Sequence, residues 1–246
     1  MKTHRKTLVF LASVVIFLFS YTNLVAQKVS TRNGGLNAQE KSIITISSLS
    51  AKGDLSNLKT ALHDGLNAGL SVSEIKEALV HLYAYCGFPR SIRALQTFST
   101  VLDDRKVNGT IDRVGKDATP IHSTNNKYNR GKSILEDLTK TPPPVQLQGY
   151  AAFAPIIDTF LKEHLFADIF ERDILTFTQR ELVTIAVIGT IGNAEPMLRS
   201  HLLICRNLGL TSQQLKEFVS ILSKTAGSNN AKMAQYIIDE ISKNGS

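Results

Sequence analysis

One structural unit occurs twice in this chain, and no other feature of the sequence restricts the fold as strongly. The stretch NAGLSVSEIKEAL (67–79) returns as NLGLTSQQLKEFV (207–219), so that Asn67, Gly69, Leu70, Lys76 and Glu77 recur 140 residues later as Asn207, Gly209, Leu210, Lys216 and Glu217. The same separation carried outward sets Gln39 against Gln179, Leu58 against Leu198, Leu62 against Leu202, Leu82 against Leu222 and Gly87 against Gly227. A repeated unit fixes architecture, because each copy needs a neighbour against which to bury its apolar face.

The unit is helical. Ile75, Ala78, Leu79, Leu82, Tyr83 and Cys86 form one stripe at helical spacing. Ser71-x-x-Glu74 and Thr211-x-x-Gln214 are capping boxes, in which the hydroxyl takes a free amide and the acid or amide reaches back. Leu70 with Ile75, and Leu210 with Leu215, sit where a hydrophobic staple packs, while Gly69 and Gly209 suit the left-handed end of the preceding helix. Earlier helices are expected to start from boxes at Asn37-x-x-Glu40 and Thr178-x-x-Glu181. Nothing has a strand period, so the expected class is all-α.

Between the copies, residues 107–127 read as loop, Tyr128 to Lys140 as a helix, and Pro142-Pro143-Pro144 as its end. The stretch 151–170 is apolar all round, which predicts a buried helix packed on the other copy or on a second subunit. The domain reading is therefore a first repeat at 27–106, a linker with a short helix at 107–150, and a second repeat at 151–246. Residues 1–26 read as a secretory signal: Lys2, Arg5 and Lys6, an apolar run from Leu8 to Phe19, then cleavage after Ala26. That predicts a periplasmic or secreted protein that meets the membrane only before cleavage; an uncleaved anchor is the alternative. Removing those three cations from a formal charge of +7 leaves a mild +4, with the basic residues scattered, so no nucleic-acid partner is expected.

Cys86 and Cys205 are the two cysteines. At the 140-residue separation they face Ala226 and Gly65, so both occupy small-residue positions, and Cys86-Gly87 reads as a helix stop rather than a reactive thiol. There is no C-x-x-C or H-x-x-x-H, and no metal site or cofactor is expected.

The stretches LNAGLSVSEIKEALVHLYAYCGFPRSIRAL (66–95) and FTQRELVTIAVIGTIGNAEPMLRSHLLICRNLGLTSQQLKEFV (177–219) resemble the carboxymuconolactone decarboxylase family, within the alkylhydroperoxidase D-like superfamily. The resemblance implies a helical bundle of two tandem family units. It implies one of two chemistries: cofactor-free decarboxylation of a carboxylated lactone, or peroxide reduction by a C-x-x-C followed four residues later by a histidine. The family histidine falls at His201 in the second copy and at Ala61 in the first. The thiol positions are Ala194 and Met197, and in the first copy Asp54 and Asn57, so peroxide reduction lacks its nucleophile.

The decarboxylase pattern places an acid four residues before the histidine, where this chain has Met197. His201 is then the expected acid/base, with Glu195 as the nearest substitute orienting group, although the two do not share a helix face. Arg199 and Arg206 are candidates to hold a substrate carboxylate, and Arg90 to meet an anion beside free helix amides. Glu77 and Glu217, with Lys76 and Lys216, read as structural ion pairs. Arg180-Glu181 carries no shared role, because its counterparts Glu40-Lys41 reverse the charges; His63 and His81 face Leu203 and Ile221 and read as surface or packing residues. The expected function is an exported, homo-oligomeric enzyme that decarboxylates or otherwise processes a small carboxylated lactone or keto-acid; a non-catalytic binding or assembly protein that keeps the family fold is the alternative.

Overall fold

Helix starts set the architecture. In the computed structural model, which describes residues 34–142 and 144–243, the signal segment read at 1–26 lies outside the described residues. Among these, eleven α-helices and one π-helix are present and no strand. The first repeat contains α1 (Ala38–Lys52), α2 (Leu55–Asn67), α3 (Val72–His81) and α4 (Tyr83–Val107). An annex follows: α5 (Lys127–Thr139), α6 (Gly149–Phe153), α7 (Pro155–Phe160) and the π-helix π1 (Leu161–Phe170). The second repeat contains α8 (Phe177–Ile191), α9 (Glu195–Asn207), α10 (Ser212–Thr225) and α11 (Ser228–Lys243).

Capping boxes close at Asn37/Glu40, Ser71/Glu74 and Thr211/Gln214, as the sequence predicts. The fourth does not. Helix α8 is capped by Thr176 and Gln179, two residues earlier than the expected Thr178 and Glu181. Glu181 is thereby released from capping and turns into the interior, where it is wholly buried.

The repeat register also shifts. Helices α1 and α8 both span 15 residues but begin 139 apart, at 38 and 177; α2 and α9 both span 13 and begin 140 apart, at 55 and 195. The turn after α8 is one residue longer than the turn after α1. Gln179 therefore stands opposite Glu40 rather than Gln39, and Arg180 stands opposite Lys41.

Helices α1 and α8 pack on each other at the centre, burying Ile43, Ile44 and Ile46 against Leu182, Val183, Ile185 and Ala186. The other helices of both repeats surround this pair. The expected stop at Gly87 is a kink instead: Gly87 adopts φ +82°, and the chain re-enters helix with Pro89 in the new first turn, where a missing N–H costs nothing.

The expected single buried helix over 151–170 is broken into three. Pro155 drives Ala154 out of helical geometry (φ −134°, ψ 78°), ending α6 and starting α7. Phe153, Ile156 and Phe160 are exposed, and burial begins only within π1, at Leu165, Phe166 and Phe170. These join Leu138 of α5 and Ile204 of α9 in a second core that seats the annex on the second repeat. Gly131 brings α5 so close to π1 that any Cβ there would collide with the Lys162 carbonyl.

Candidate functional site

His201 is on α9, facing α8. Its Nδ1–H donates to Glu181 Oε2 at 2.9 Å, and Glu181 is fully buried while the histidine side chain is 14% exposed. Because the carboxylate accepts, Nδ1 keeps the hydrogen and Nε2 presents its lone pair. Glu181 Oε1 is buried with no partner among the described residues. One turn along α9, burial and then the Glu181 charge push the Cys205 thiol well above the ordinary cysteine range. Tyr85, from α4 of the first repeat, meets the His201 ring edge-on at 5.9 Å. The site is thus shared between the repeats.

A buried polar network backs it. Arg180, with no exposed surface, donates through Nη2 to Glu77 Oε1 (2.8 Å) and to the Arg172 carbonyl (2.6 Å), and through Nη1 to His81 Nδ1 (3.1 Å). A guanidinium cannot accept, so His81 Nδ1 must, leaving Nε2–H to donate to Thr184 Oγ1 at 3.1 Å. Burial first, then Arg180 and His201, hold His81 well below the usual imidazole range, which keeps it neutral. Thr184 Oγ1 lies 3.0 Å from both the Arg180 carbonyl and the Tyr85 hydroxyl, and its single hydrogen serves one at a time. When that hydrogen goes to Tyr85, the phenol hydrogen is free to turn elsewhere. Burial, and then the Glu181 charge, raise the Tyr85 phenol far enough that it stays protonated.

The counterpart of this site, formed by α1 and α2 of the first repeat with α10 of the second, is emptied of its chemistry. With the corrected register, Ser42 stands for Glu181, Ala61 for His201, Gly65 for Cys205, Ile221 for His81 and Thr225 for Tyr85. The Glu77–Arg180 pair survives as Glu217–Lys41 at 2.8 Å, but on the surface. Only the second copy has an acid/base pair.

Two segments, 18–99 and 157–237, match the model of the carboxymuconolactone decarboxylase family, one in each repeat. A 4-carboxymuconolactone decarboxylase from Acinetobacter baylyi is 32% identical over 118 residues, 48% of this chain and 87% of that protein. The chain belongs to the carboxymuconolactone decarboxylase family.

Of the residues expected to serve this family member's site, only His201 lies in it. Glu195 opens α9 about 120° around the helix from His201 and lines a separate cavity of 280 Å³ with Asn230 and Met233. Arg199 and Arg206 lie about 140–160° away, on the face turned to α11. There Arg199 pairs with Glu240, and Arg206 Nη1 donates to the Ile241 carbonyl at 2.6 Å. The Arg90 guanidinium rests against Gly53 at the α1–α2 turn. Reading outward from His201 along one helix could not find its partner, which comes from the neighbouring helix 20 residues earlier. His81, expected as a packing or surface residue, is a buried member of the network, Arg180 is the centre of that network, and Glu181 is the partner of His201.

Proposed function

We propose that this protein catalyses cofactor-independent proton transfer coupled to decarboxylation of a small carboxylated lactone or keto-acid, with His201 as acid/base and Glu181 as the residue that fixes it. The Glu181–His201 pair, at 2.9 Å with Nε2 left free, is the observation that carries this reading. In such a reaction the bond to the carboxylate carbon breaks, CO2 leaves, and the electron pair moves into the adjacent conjugated carbonyl. Protonated Nε2 then delivers its hydrogen to the carbanionic carbon and regains one from water. Glu181, buried against the ring, holds it through Nδ1 so that Nε2 is the nitrogen that gives up and regains the hydrogen. The named reaction of the Acinetobacter baylyi relative supplies the substrate class.

Residues 1–26 support export to the periplasm or beyond, and exposed Phe153, Ile156 and Phe160 support assembly into a homo-oligomer. A non-catalytic binding role is the second reading, favoured by the slight exposure of His201. Incubating the protein with 4-carboxymuconolactone, with release of CO2 followed by NMR, separates the two. Turnover lost in His201→Gln supports catalysis by His201; equal turnover in wild type and variant would overturn that role, and none above the buffer background in either supports the second reading.

A further inference from the structure

A cleft of about 570 Å³ opens between α5 and the connection from π1 to α8. That is the size range of small-molecule sites, roughly 300–1,000 Å³. One wall comes from α5, through Asn129, Arg130 and Ile134, and therefore from outside both segments that match the family. The facing wall is Phe170, Arg172 and Phe177. The cleft is separate from His201: the Phe170 ring lies 5.0 Å from His81, which lies 5.5 Å from Tyr85, which in turn meets His201.

Its charge is unbalanced in one direction. Arg130 is matched by Glu171 at 2.9 Å and Asp173 by Lys116 at 2.6 Å. Glu77 alone serves two guanidiniums, those of Arg172 and the wholly buried Arg180. Arg172, 40% exposed at the cleft, therefore shares its carboxylate with a buried guanidinium, and the local balance is one positive charge in excess. The donors are also in place. Arg172 bonds Glu77 through Nε and Nη2, and Arg130 uses Nε and Nη1, so Arg172 Nη1 and Arg130 Nη2 have no acceptor among the described residues. Phe170, Phe177 and Ile134 supply apolar surface for the rest of a ligand.

We infer that this cleft binds a small monocarboxylate with an aromatic or branched apolar body, its carboxylate on Arg172 and Arg130, at a site distinct from His201. The binding does not depend on the proposed reaction. Isothermal titration of the full chain with benzoate, and with benzamide as the uncharged analogue, tests it. Benzoate is expected to bind one site saturably, with benzamide at least about tenfold weaker, since a charge-assisted bond is lost. Arg172→Met is expected to weaken benzoate by about ten- to a hundredfold, and His201→Gln to leave it unchanged. Ser133→Met fills the cleft without altering charge; it is expected to abolish binding and keeps the test decisive where Arg172→Met fails to fold. No benzoate binding, equal binding of benzamide, or benzoate affinity that falls with His201→Gln but survives Ser133→Met would each overturn the inference.

Discussion

The two repeats place one ion pair in two environments, and removing its acid in each isolates what burial is worth. Glu77 is 3% exposed and shares its carboxylate between Arg180, which is 0% exposed, and Arg172. Glu217 pairs with Lys41, 23% and 48% exposed. Glu77→Gln strands a fully buried guanidinium, and breaking a buried pair from one side costs about 3–5 kcal/mol. Glu217→Gln removes a solvent-screened pair, which contributes little. Urea unfolding followed by circular dichroism is the assay. The midpoint should fall markedly for Glu77→Gln and barely for Glu217→Gln, with unchanged slopes. In a domain of this size the first change corresponds to about 6–20 °C in Tm. Losses that are equal, or a Glu77→Gln loss below about 1 kcal/mol, would refute the claim that Arg180 depends on Glu77 for its burial.

Three further outcomes are expected. Glu181→Gln keeps a hydrogen-bond acceptor beside His201 but removes the charge, and should lower kcat for a turned-over carboxylated lactone by about ten- to a hundredfold with KM little changed. Because His81 has a folded pKa below its unfolded value of about 6.5, the unfolded chain binds the extra proton; stability is full above about pH 6.5 and declines as pH falls, by up to about 1.4 kcal/mol per unit. His81→Gln should flatten that slope in pH-dependent urea melts, and an unaltered slope would count against a neutral buried imidazole. Burial raises Cys86 to about 11 and holds Cys205 well above the ordinary cysteine range, so a thiol-reactive dye at pH 7.5 should label Cys86 slowly and Cys205, which is wholly buried, only on unfolding; rapid labelling of either in the native protein would contradict this.

Local signals carried the fold a long way. Glycine-leucine turns, capping boxes and helical stripes are short-range features, and they place α1, α3 and α10 directly. The same signals misplaced Glu181. Thr178-x-x-Glu181 and Thr176-x-x-Gln179 both satisfy the capping pattern; the earlier pair caps, and Glu181 bonds His201 of α9 instead. A single added residue after α8 then made Arg180 look like a charge reversal of Glu40, when it is the buried equivalent of Lys41. His201 was legible because it sits at a fixed distance from a turn; its partner was not, because it comes from another helix. Arg199 and Arg206 are near His201 in sequence, but a helix carries them to its far side.

The claim at the centre is that Glu181 holds His201 with Nδ1 protonated and Nε2 free. Long-range proton–nitrogen NMR correlation of the His201 ring, at a pH where it is neutral, reads this directly. The hydrogen should be found on Nδ1, and Glu181→Ala should release the ring to a mixture of tautomers. A ring carrying its hydrogen on Nε2 in the wild-type protein would contradict the account.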